Sequence, residues 1–141
     1  MANRRNMFHR LAMREKIEAM GHADAIRTLD DELQKISGLN DRLNQIANET
    51  KIQTGTTNMM ALRSAQHYAS KIHEQLKLIG NRIVFIEEEL SQETEIMGKY
   101  LIRQKRALEK AEKQLAQERN VTEDRIAEDL QRTNPTAKNH R

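Results

Sequence analysis

Residues 62–97 read LRSAQHYASKIHEQLKLIGNRIVFIEEELSQETEIM, and apolar side chains recur there alternately three and four positions apart. One series runs Leu62, Ala69, Leu76, Ile83, Leu90, Met97, and the other runs Ala65, Ile72, Ile79, Ile86, with Glu93 as the one break in the seam. A seven-residue repeat of this kind keeps a narrow stripe turned toward a partner helix, which is the requirement for knobs-into-holes packing. The stretch therefore predicts a coiled coil.

The composition agrees. With 32% charged residues, 3% aromatic residues, one proline and no tryptophan, the chain lacks the bulk for a thick globular core but suits a solvated helical rod. A mean hydropathy of −0.86 would also fit disorder, but disordered segments have no reason to space Leu and Ile by three and four. One coiled-coil domain over residues 1–132 is expected, followed by a polar tail at 133–141.

The first half carries the same signal through Ile26, Leu29, Leu33, Ile36, Leu43 and Ala47, with Asn40 at a seam position, where a polar amide penalises wrong registers. Between the halves lies Thr54-Gly55-Thr56-Thr57-Asn58, a cluster of turn formers. It predicts the bend of an antiparallel helical hairpin, with Thr57 or Asn58 capping the second helix. The expected fold is all-α, a long antiparallel two-helix coiled-coil hairpin with a longer second helix. Helix one is expected over about 6–52, the turn over 53–57 and helix two over 58–132, ending before Asn134-Pro135.

A bend at Gly55 places residue i opposite about 110 − i. In that register the spacing of four from Glu93 to Met97 to Leu101 reads as a stutter, matched on helix one by a change from Met13, Ile17 and Met20 to the Ile26 series. Helix two should project about 25 residues beyond its partner, with an overhang near Leu108 to Leu130 that keeps Ala111, Leu115, Thr122 and Ile126 on a thin stripe and has little to bury. Gly21, Gly38, Gly80 and Gly98 fall inside the helices, as hinges, as points of close approach, or as residues that a long coiled coil tolerates.

Charge is uneven. Arg4, Arg5, Arg10, Arg14 and Lys16 would meet Lys99, Arg103, Lys105, Arg106, Lys110 and Lys113, giving a basic end. Asp24, Asp30, Asp31 and Glu32 would lie near Glu87, Glu88, Glu89, Glu93 and Glu95, giving an acidic middle. Such polarity suits entry of the basic end into an acidic protein site; the plainer reading is a solvated surface of i,i+4 pairs such as Glu109 with Lys113. Leu78 and Phe85, seven apart with Val84 alongside, either broaden the core or form a docking surface.

Several functions find no support. No cysteine is present, so a disulfide framework or a cysteine zinc site is excluded. The sequence has no secretory h-region and no run of eighteen apolar residues, so the chain is expected in the cytoplasm without membrane insertion, and the Asn48 and Asn120 glycosylation patterns are chance matches. The basic residues occur without a glycine-aromatic RNA motif or finger spacing, so no specific nucleic-acid partner is expected. His67 and His73 lie six apart on different helix faces, and no phosphate-binding loop occurs. No catalytic residue, metal or cofactor is expected; the activity should be protein binding.

This combination of basic N-terminus, two heptad-bearing helices joined by a short turn, a longer second helix and a polar tail resembles the FliJ/YscO-like family of type III secretion, over Met1 to about Arg132. The resemblance implies a non-enzymatic stalk of a flagellar or injectisome export ATPase, also described as an export chaperone. Its implied partners are the ATPase ring, engaged by Arg4, Arg5, Arg10, Arg14, Arg103, Lys105 and Arg106, and an export-gate component, met near Leu78 and Phe85. It places the chain in the cytoplasm or peripherally at the inner-membrane export apparatus, as a monomeric hairpin or a homodimer. The alternative is a homodimeric structural coiled coil or tether, straight through Gly55 or paired between molecules.

Overall fold

The computed structural model describes residues 2–52 and 58–133, with side chains described over 3–50 and 58–133. The described residues form two helices: α1, Ala2–Ile52, and α2, Met59–Thr133. The fold is all-α, a helical hairpin whose second helix, at 75 residues, exceeds the first, at 51. The expected bend at Thr54 to Thr57 lies outside the described residues. Asn58 performs its expected role, its Oδ1 accepting the Ala61 amide at 3.0 Å and satisfying one donor of the first turn of α2.

The helices divide into two units, described in turn. The first comprises Gly21–Ile96. Here Ile72, Ile79 and Ile86 are buried, with Ile86 fully covered, while Leu76, Ile83 and Leu90 are half-buried. On α1 the half-buried series Ile26, Leu29, Leu33, Ile36, Asn40, Leu43 and Ala47 keeps the three-four spacing, with Asn40 on the seam as expected. Leu62, expected on the seam, is 39% exposed, and Ala69 is also exposed, so the packing is looser toward the start of α2. Register is marked by Arg82, whose Nε and Nη2 donate to Glu32 Oε1 at 3.1 and 2.6 Å, and by a hydrogen bond between His22 Nδ1 and Glu93 Oε2. Residue i thus lies opposite about 115 − i, rather than the 110 − i expected from a bend centred on Gly55.

The second unit comprises Met1–Met20 and Met97–Arg141. Among the described residues its buried side chains are all alanine: Ala12 and Ala19 on α1, Ala107 and Ala111 on α2. The rest of its seam is half-buried and mostly polar, with Arg5, Phe8 and Glu15 on α1 and Met97, Tyr100, Gln104, Gln114, Glu118 and Val121 on α2. The expected stutter is therefore absent. The residue after Met97 on the seam is Tyr100, and Leu101 lies beside it, 45% exposed. Burial on α2 keeps the three-four rhythm from Ile72 through Glu93 to Val121. On α1, Met13, Ile17 and Met20 are 57 to 60% exposed, and Ala12, Glu15 and Ala19 take the covered positions.

The overhang is shorter than expected. Helix α1 begins at Ala2 rather than near Asn6, and Arg5 Nη1 reaches Glu118 Oε2 at 3.4 Å, so cover extends to about Val121. From Thr122 to Thr133 every side chain of α2 is exposed. The four helical glycines are not points of close approach, since a Cβ on any of them would meet nothing within 4 Å.

Candidate partner-binding site

Counting outward from the seam sorts the cations of the Met1–Met20 and Met97–Arg141 unit onto the two flanks of the helix pair. In an antiparallel coiled coil, positions that flank the seam on one side of each helix meet their own kind on the other. The groove lined by Arg4 together with Gln117 and Asn120 identifies one such side. Arg4 and Arg14 lie on that side of α1, and Lys99, Arg103, Arg106, Lys110 and Lys113 on that side of α2. Over the paired stretch, up to Val121, Glu18 is the one carboxylate among these positions, so the side is strongly electropositive there. Aromatic rings within the unit support two of the cations, Arg103 lying 5.3 Å from the Tyr100 ring centroid and Lys110 lying 5.9 Å from that of Phe8.

The expected site residues are accordingly divided. Arg4, Arg14, Arg103 and Arg106 share the electropositive side. Arg5 sits on the seam, half-buried and paired with Glu118, so it serves the helix pairing. Arg10 points outward on α1, and Lys105 lies on the opposite flank. That flank carries an apolar row, Leu101, Leu108 and Leu115, seven apart on α2; of the stripe expected on the overhang Leu115 belongs to it, whereas Ala111 is buried on the seam, and Leu101 and Leu108 were not expected there. The spacing was present in the sequence, but with Leu101 taken as a seam residue the row could not be recognised as a separate stripe.

In the Gly21–Ile96 unit, Leu78 is 61% exposed, Val84 54% and Phe85 47%, so these residues stand outside the core. Arg82 lies 5.2 Å from the Phe85 ring centroid while paired with Glu32, which fixes a cation beside the exposed ring. The acidic middle is partly compensated, since Glu32 pairs with Arg82 and Asp24 with Arg27 at 3.7 Å, while Glu93 is hydrogen-bonded to His22.

An open groove of about 610 Å³ in the same unit is lined by small and polar groups with Leu62, Ile72 and Leu76 on its floor. It holds no convergent acid–base pair, and no cluster of metal-ligating side chains occurs among the described residues. No described helix is long and apolar enough to cross a membrane. Searches of protein-family models, curated proteins and solved structures find no match to this chain.

Proposed function

We propose that this chain is a non-enzymatic stalk or adaptor of a type III, flagellar-type, protein export apparatus. Its electropositive end engages the export ATPase ring, and its Leu78–Phe85 surface meets an export-gate component. The observation that carries the reading is the concentration of Arg4, Arg14, Lys99, Arg103, Arg106, Lys110 and Lys113 on one side of a two-helix unit, with a single carboxylate, Glu18, among them up to Val121. A helical surface of that kind offers charge complementarity and a fast encounter with an acidic protein site. The resemblance of the sequence to the FliJ/YscO-like family suggests the export ATPase as the owner of that site. A hairpin that closes its own seam favours this reading over a straight homodimeric tether, whose seam would need a second chain.

The test is stimulation of the export ATPase by the purified chain. A variant combining Arg103→Ala and Arg106→Ala should lose stimulation while keeping its helical circular dichroism. Full stimulation by that variant removes the assignment. Leu78→Asp with Phe85→Asp should leave stimulation intact and abolish capture of the export-gate component.

A further inference from the structure

The row on the flank away from the cations extends past the end of the helix pair. Leu101 and Leu108 are 45% and 40% exposed and Leu115 is half-buried. On the bare part of α2 the same side carries Thr122, Ile126 and Leu130, the last two 55% and 65% exposed. Spacings of four from Thr122 onward keep these residues aligned on a single helix of 3.6 residues per turn. At the centre of the row, Leu115, Glu118, Arg119, Thr122 and Glu123 line a shallow groove.

The row is self-complementary when reversed about Leu115. Leu101 lies 14 residues before it and Leu130 15 after; Leu108 lies seven before and Thr122 seven after. The margin of the row carries Lys105 and Glu112 before the centre and Arg119 and Glu123 after it, all exposed. The reversal brings Glu112 against Arg119 and Lys105 near Glu123. A parallel neighbour in register would set Glu112 on Glu112 and Arg119 on Arg119, and a uniformly acidic partner would match Lys105 and Arg119 but not Glu112 and Glu123.

We propose that a second copy of this chain packs antiparallel along this row, with a two-fold axis at Leu115. The interface is isologous and therefore closes at two copies. It covers Ile126 and Leu130, which no described residue of the same chain covers, and gives the bare segment of α2 a helix to pack against. It does not depend on the export reading, because Glu112, Leu115 and Arg119 are outside the residues assigned to the ATPase or the gate.

Two experiments on the full chain decide it. Because the chain has no cysteine, Leu115→Cys introduces a single thiol at the proposed axis, and Gln117→Cys introduces one on the cationic flank. Mild oxidation should convert the first to a disulfide-linked dimer while the second stays largely monomeric; equal cross-linking overturns the proposal. Sedimentation velocity at low salt should show a dimer of the unmodified chain. Glu112→Arg or Arg119→Glu alone should abolish that dimer, and Glu112→Arg with Arg119→Glu should restore it. A monomer at every concentration, or a dimer indifferent to all three variants, also overturns the proposal. Helical circular dichroism of each variant shows that the fold is kept.

Discussion

His22 on α1 and Glu93 on α2 meet across the seam, with the imidazole Nδ1 hydrogen-bonded to the carboxylate Oε2. Both side chains are about one-quarter exposed. They replace an apolar layer with a directional one, so a shift of one heptad would separate the ring from its acceptor. Removing one partner should cost more than removing both, because the remaining group keeps its desolvation penalty. Thermal melts should therefore place His22→Leu with Glu93→Leu above either single variant. Additive melting shifts would remove the coupling.

Gly38→Ala and Gly80→Ala should each stabilise the fold by about 0.8–1 kcal/mol. A Cβ at either position would meet nothing within 4 Å, and no described glycine adopts a positive φ, so alanine adds helix propensity without a clash. Denaturant titration of the two variants measures the gain. A loss of stability would mean that these positions tolerate no added methyl group.

Glu15 occupies a covered seam position, and its Oε2 is buried without a hydrogen-bond partner. A polar atom left in that state costs about 1–3 kcal/mol. Glu15→Leu should raise the melting temperature, and unchanged melting would show that the oxygen is solvated in solution.

Ile86 is the fully covered side chain of the Gly21–Ile96 unit among the described residues. Ile86→Ala should cost about 2–5 kcal/mol, the range for truncating a buried aliphatic side chain. Phe85→Ala, at the neighbouring exposed position, should cost far less. Chemical denaturation of the pair separates core from surface; comparable losses would place Phe85 in the core as well.

Asn40 is half-buried on the seam. Asn40→Leu should raise thermal stability while loosening register, since leucine packs in any layer and an amide does not. A fall in melting temperature with an unchanged oligomeric state would count against this account.

The fold was legible where the seam is aliphatic. Ile72, Ile79 and Ile86 announce their own spacing, and both helix ends fell within a few residues of expectation, with Asn58 marking the start of α2. It was obscured where the covered positions hold Ala12, Glu15, Ala19, Gln104 and Ala107, while Met13, Ile17, Met20 and Leu101 look outward. There, following the larger side chains led to a stutter. Two paired helices keep a regular contact geometry even when the residues at the contact become small, so the heptad continues without its usual apolar markers. The cations of the candidate site were legible as a list. Which of them belong to one side was not, because Arg5 and Lys105 are separated from Arg103 and Arg106 by register.

The alanine seam also sets the order in which the molecule should open. An isoleucine buries three more carbons than an alanine, worth roughly 2 kcal/mol at about 0.8 kcal/mol per methylene. Layers closed by Ala12, Ala19, Ala107 and Ala111 therefore hold their helices with far less free energy than layers closed by Ile72, Ile79 and Ile86. Amide protons near Ala12 and Ala107 should exchange with solvent long before those near Ile79 and Ile86. The electropositive end is then also the part of the fold with the most freedom to adapt its shape to whatever it grips.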